Sequence, residues 1–83
     1  MAMVYLVRSF VIIMKNTFGQ TLRKLRDDSG MSQEELAFKT ELHRTYISQL
    51  ERDLKSPSLR TVSAIAAAFG LTLLQVVQRM SND

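Results

Sequence analysis

Four residues, Ser29-Gly30-Met31-Ser32, stop one helix and start the next, and this punctuation constrains the fold more than any other feature of the chain. Before it, Phe18, Leu22 and Leu25 recur at helical spacing, with Arg23, Lys24, Arg26 and Asp27 on other faces. After it, Ser32 can cap a helix, Glu35 can reach back to complete a capping box, and Met31 can staple onto Leu36. The same grammar continues downstream. The second helix should run to about Thr40, and "TELH" should turn tightly into a third carrying Tyr46, Ile47 and Leu50 and ending near Arg52 or Asp53. Beyond the loop "LKSPS", Ser58 caps a fourth helix whose Leu59, Val62, Ile65, Ala66 and Phe69 form one stripe before Gly70. Thr72 caps a fifth, expected to run to about Met80, and no strand pattern appears from Asn16 onward. These short helices predict an all-α domain.

Composition sets what can hold such helices together. The chain has 83 residues, 46% of them hydrophobic, enough for one compact core. It has no cysteine and a single histidine, so disulfides, thiolate metal sites and a zinc cluster are excluded and the fold must rest on packing. No metal or cofactor is expected, and a reducing cytoplasm fits best. The net charge of +3 suits an anionic partner but does not demand one. The opening "MAMVYLVRSFVIIMK" is interrupted by Arg8 and Ser9, falls short of the roughly 20 apolar residues of a membrane span, and is followed by no small-residue cleavage site. Residues 1–15 are therefore expected to be an apolar extension and 16–83 the domain; a start at Met14 would give an equally sensible domain.

The stretch "LHRTYISQLERDLKSPS" concentrates hydrogen-bonding side chains around few apolar positions. With small Ala37 at the approach of the second and third helices, and Leu42, Ile47 and Leu50 turned inward, the helical repeat places Arg44, Thr45, Ser48, Gln49 and Arg52 outward. Such a face can donate and accept hydrogen bonds at base edges in a DNA major groove, which admits one helix. A solvated helix face has the same composition.

The longer stretch from Phe18 to Met80 separates the two readings. Its "GMSQEELA", "TYISQLER", "PSL" and "AFGLT" resemble the XRE-type helix-turn-helix family, typified by the Cro and repressor proteins of lambdoid phages, and "LHRTYISQLER" is most similar to controller proteins of restriction-modification systems. The resemblance implies a five-helix, lambda-repressor-like domain and roles for particular residues. His43, Arg44, Thr45 and Gln49 match base-reading positions, with Ser48 beside them, and Arg44 suits guanine because its guanidinium fork matches O6 and N7. Gln33 matches a phosphate-contacting glutamine at a helix N-terminus. Arg52 and Lys55 would meet phosphates. Apart from the resemblance, the Tyr46 ring is expected to pack at the junction of the second and third helices while its hydroxyl reaches water or a phosphate. Arg26 and Glu51 match an internal ion pair, which makes Glu51 structural.

Three residues depart from the family pattern. Glu41 stands where many members have glycine, so it either accepts a positive φ or the turn differs. His43 replaces the usual Ser, Thr or Asp cap, which predicts a weaker cap and DNA contact mildly sensitive to pH. Asp53 replaces a common glycine, though aspartate tolerates the left-handed conformation better than most residues. The paired acids Glu34-Glu35 and Asp27-Asp28 are expected simply to face solvent.

The fifth helix carries Leu71, Leu73, Leu74, Val76, Val77 and Met80, too many apolar residues for one stripe. This predicts a homodimer through Leu73, Val76, Val77 and Met80, unless the N-terminal extension covers the helix instead. The implied function is a transcription regulator that binds double-stranded, nearly palindromic operator DNA. It would repress by blocking RNA polymerase or activate by touching it, and the sequence leaves both open. An antitoxin or phage-type repressor of the same fold, or an interaction module that has lost DNA, are the alternatives. No nucleophile and base or metal set can be assembled, so no catalytic activity is expected.

Overall fold

A computed structural model describes residues 14–82, with side chains through Ser81; the expectations for residues 1–13 lie outside the described residues. Five α-helices follow one another: α1 Phe18–Asp28, α2 Gln33–Thr40, α3 Arg44–Glu51, α4 Leu59–Ala68 and α5 Leu73–Asn82. Each start is chemically marked. The Ser32 hydroxyl accepts from the Glu35 N–H at 3.0 Å while the Ser32 N–H donates to the Glu35 carboxylate at 3.3 Å. Thr17 with Gln20 and Thr72 with Gln75 close the same reciprocal box, and Ser58 accepts from the Thr61 N–H. Each box satisfies backbone donors that the first turn of a helix leaves unpaired.

The ends share a device too. Gly30, Glu41, Asp53 and Gly70, one after each of the first four helices, have φ between 58° and 71°. Only the two positions flanking α3 use residues with a side chain, at a cost on the order of 1–2 kcal/mol each. Of the two outcomes the sequence leaves open for Glu41, the structure has the positive φ, 58°. Helix α3 ends at Glu51, just short of the expected Arg52 or Asp53, and α5 extends slightly past Met80.

α1 packs against α3 and α5, α2 against α3 and α4, and α4 against α5. The core has two adjoining parts. Leu22, Leu36, Ala37, Ile47, Leu50 and Ile65 form one, with Met31, Leu42 and Tyr46 packed on it. Leu25, Val62, Ala66 and Val76 form the other, and Phe18 and Phe69 touch both. Helix α1 therefore divides its apolar stripe between the two, Leu22 into one and Leu25 into the other.

Two expectations are corrected here. Leu59, the first residue of α4, is 72% exposed and belongs to neither part of the core, so the buried stripe begins at Val62. Val76, expected at a dimer interface, is 1% exposed and packed against Leu25, Val62 and Ala66. Its helical phase points it at α1 and α4, so it has no surface to offer a second copy. Leu73 packs partly against the same cluster. Among the described residues, no single helix is long and apolar enough to cross a membrane.

Candidate nucleic-acid interface

The position of α3 rests on Glu51 at its last turn. The Arg26 side chain of α1 forks onto this carboxylate, Nε to Oε2 at 2.6 Å and Nη2 to Oε1 at 3.0 Å, and its Nη1 donates to the Met31 carbonyl at 3.0 Å. Arg26 is 15% exposed and Glu51 only 4%. Donation to Glu51 raises the guanidinium pKa above its ordinary value, against the opposing effect of burial, so Arg26 stays charged. One pair thus joins α1, the α1–α2 turn and α3, and a bidentate geometry of this kind fixes orientation as well as distance.

Gln33 joins this network. Its Nε2 donates to Glu51 Oε1 at 3.3 Å, an orientation dictated by a carboxylate that can only accept. The amide expected at a phosphate is therefore already engaged internally, and Gln33 is half-buried at the start of α2. Among the described residues, the second N–H of Nε2, the amide oxygen and the backbone N–H of Gln33 make no hydrogen bond.

With α3 anchored this way, Ile47 and Leu50 are fully buried, and Arg44 and Thr45 face outward with Ser48 beside them. Gln33, Arg44, Thr45 and Ser48 line one shallow groove between the starts of α2 and α3. Gln49 is half-buried, and so is Tyr46, whose ring packs on the core at the α2–α3 junction. His43 caps α3: its Nδ1 accepts from the Thr45 N–H at 3.2 Å. This bond fixes the tautomer, since an accepting Nδ1 leaves the proton on Nε2, a free donor at the exposed edge of the ring. It serves one backbone donor, whereas Ser32 makes a reciprocal pair. Arg52 and Lys55 are exposed, and among the described residues neither forms an ion pair.

Three features escape sequence reasoning. The Glu34 carboxylate lies 3.8 Å from Arg44 Nε, both well exposed, a contact weak in water, and among the described residues the two terminal nitrogens of Arg44 make no hydrogen bond or ion pair. The Asp53 side chain reaches back to the start of α1, where Oδ1 accepts from the Gly19 N–H at 3.0 Å and Oδ2 from the Thr17 hydroxyl at 2.6 Å. Gly19 sits so close to the end of α3 that a Cβ there would lie 2.4 Å from the Leu50 carbonyl oxygen and 2.7 Å from that of Glu51. A glycine near the start of a helix, where propensity disfavours it, was the available signal for the last.

On α5, Leu74 is 65% exposed and Val77 half-buried, one turn apart on a face turned away from the core. Met80 is half-buried, and its carbonyl accepts from the N–H groups of Lys15 and Asn16, both at 3.0 Å. The chain entering α1 is thus held against the end of α5. Among the described residues, no group of three or more His, Cys, Asp or Glu could hold a metal ion.

Two packed helices, α2 and α3, with a short turn between them and a polar outer face on the second, define a helix-turn-helix domain. The sequence pattern of the helix-turn-helix family matches residues 22–76, and the chain belongs to this family of DNA-binding transcription regulators. It is 49% identical over 55 residues to control protein C.BamHI of Bacillus amyloliquefaciens, covering 65% of this chain and 68% of that protein. The crystal structure of the restriction-modification controller protein C.AhdI from Aeromonas hydrophila matches with a TM-score of 0.68 at 39% identity, over 71% of this chain and 89% of that one. That of SinR, a master regulator for biofilm formation, in complex with DNA matches with a TM-score of 0.69 at 27% identity, over 74% and 98%.

Proposed function

We propose that this protein is the controller of a restriction-modification system, a homodimeric transcription regulator that inserts α3 of each subunit into successive major grooves of a nearly palindromic operator. The observation that carries the reading is the joint display of Arg44, Thr45 and Ser48 on a helix locked by Arg26 and Glu51, with Gln49 at the margin and the His43 Nε2–H beside them. Arg44 reads guanine, Thr45, Ser48 and Gln49 read its neighbours, and Arg52, Lys55 and the remaining N–H groups of Gln33 meet phosphates, with the Tyr46 hydroxyl as a further phosphate donor. Similarity to control proteins favours the controller role over other regulators of this fold. The two half-sites would lie about 34 Å apart, one helical turn.

Arg44→Ala should cost about 1 to 3 kcal/mol against a duplex selected by the wild-type protein from a random pool, and relax preference at one base pair per half-site. Unchanged discrimination between selected and random duplexes would remove α3 as the reader.

Dimerisation falls to the outer face of α5, with Leu74 and Val77 at its centre and Met80 and Leu73 at its margins. Val77→Glu places a charge in that contact and should give monomers that occupy half-sites weakly, whereas a chain beginning at Met14 should sediment as a dimer. A dimeric Val77→Glu protein beside a monomeric Met14 chain would instead assign assembly to residues 1–13.

A further inference from the structure

We propose that Asp53 is a positioning residue for DNA binding, holding the loop that carries Arg52 and Lys55 against the start of α1 so that both cations are presented to the phosphate backbone. The inference rests on the DNA-binding reading above and adds a residue that touches no DNA itself. Asp53 lies between the two cations, in the left-handed conformation with φ of 58°. Both its oxygens are used: Oδ1 accepts from the Gly19 N–H at 3.0 Å and Oδ2 from the Thr17 hydroxyl at 2.6 Å, across 34 and 36 residues of chain. The first turn of α1 is therefore capped twice, by its own Thr17 and by a carboxylate from beyond α3.

Arg52 is tied to its own helix, its Nε donating to the Ser48 carbonyl at 3.4 Å, and beyond it the loop has little else to hold it. Leu54 is 61% exposed, Lys55 and Ser56 are exposed, and only Pro57 is half-buried. Among the described residues, no side chain from Asp53 to Pro57 other than that of Asp53 makes a hydrogen bond. The backbone contributes the turn itself, with the Asp53 N–H on the Leu50 carbonyl at 3.1 Å and the Leu54 N–H on that of Gln49 at 2.9 Å. Those bonds end α3 but tie the loop only to its own helix. Asp53 alone ties it to α1, and missing side-chain volume at Gly19 lets the two come together, since a Cβ there would stand 2.6 Å from Asp53 Oδ1.

A carboxylate next to phosphate-binding cations has an opposite effect if it is a bystander. Its charge would repel the DNA backbone, and removing it would tighten binding. Position and charge can therefore be separated. Asp53→Asn removes the charge but keeps an acceptor for the Gly19 N–H; Asp53→Gly removes the tether and adopts the same φ without strain, so the fold is kept. The readout is the dependence of affinity on salt, whose slope counts phosphates neutralised, at about 0.9 per contact, and does not change when a fraction of the protein is merely unfolded.

Using a duplex selected by the wild-type protein from a random pool, Asp53→Gly should lower the slope by about 1 to 2 units and weaken binding about tenfold at physiological ionic strength, while Asp53→Asn keeps the wild-type slope. Lys55→Gln should lower the slope by about one unit in the wild-type background and by less beside Asp53→Gly. A wild-type slope for Asp53→Gly, tighter binding by both Asp53 variants, or an equal effect of Lys55→Gln in both backgrounds would overturn the proposal. Should the wild-type protein enrich no duplex at all, the DNA-binding reading fails and this inference with it.

Discussion

Glu51→Ala is expected to destabilise the protein by about 3 to 5 kcal/mol, the cost of leaving a largely buried guanidinium with only the Met31 carbonyl and the exposed Asp27 carboxylate 3.5 Å away. Glu51 is 4% exposed and Arg26 15%, so water cannot replace the lost carboxylate. The damage spreads because the same oxygen that takes Arg26 Nη2 also takes Gln33 Nε2. Arg26→Ala should cost a comparable amount, leaving a buried carboxylate with only Gln33. Replacing both by methionine should cost much less than the sum, because the charges that need each other are gone together. Urea unfolding of the single and double variants gives the cycle, provided the m-value is unchanged. A coupling energy near zero would mean that α1 and α3 are held by the apolar core alone.

Gly19→Ala should destabilise by about 3 kcal/mol, opposite in sign to what helix propensity predicts, which favours alanine over glycine by about 1 kcal/mol. The opposition arises from what a methyl group would meet: backbone oxygens of Leu50 and Glu51 at 2.4 and 2.7 Å, neither of which can rotate away. Relief would require α1 and α3 to separate, which strains the Arg26–Glu51 fork and the Asp53 tether together. Gly30→Ala makes a useful contrast. A Cβ at Gly30 meets nothing within 4 Å, and only its φ of 70° is unfavourable for a side chain, so its cost should stay near 1–2 kcal/mol. Equal thermal denaturation of the two variants would show that α1 and α3 accommodate the added methyl group and that close approach does not require glycine at position 19.

Much of this was legible in the chain because helices are local objects. Caps and left-handed stops act within four residues, so Ser32, Ser58, Thr72, Gly30 and Gly70 could be read directly. The outward set on α3 followed from a 3.6-residue repeat once Ile47 and Leu50 were inward, and the Arg26 and Glu51 pairing from resemblance to a family. Periodicity was less informative on α5, where five apolar residues in ten positions leave the inward face undetermined; Val76 belongs to the core and Leu74 to the surface, and only the placement of α1 and α4 distinguishes them.

The sequence by itself determined the five helices, their limits within a residue or two, and the polar face of α3, since each depends on groups within a turn or two of one another. Tertiary structure alone decided that Gln33 turns to Glu51, that Glu34 stands beside Arg44, and that Asp53 closes onto Gly19 and Thr17. These contacts join residues 10 to 36 positions apart. No local repeat encodes such a meeting; it exists only because burying the apolar stripes of α1, α2 and α3 together brings their polar edges within hydrogen-bonding distance.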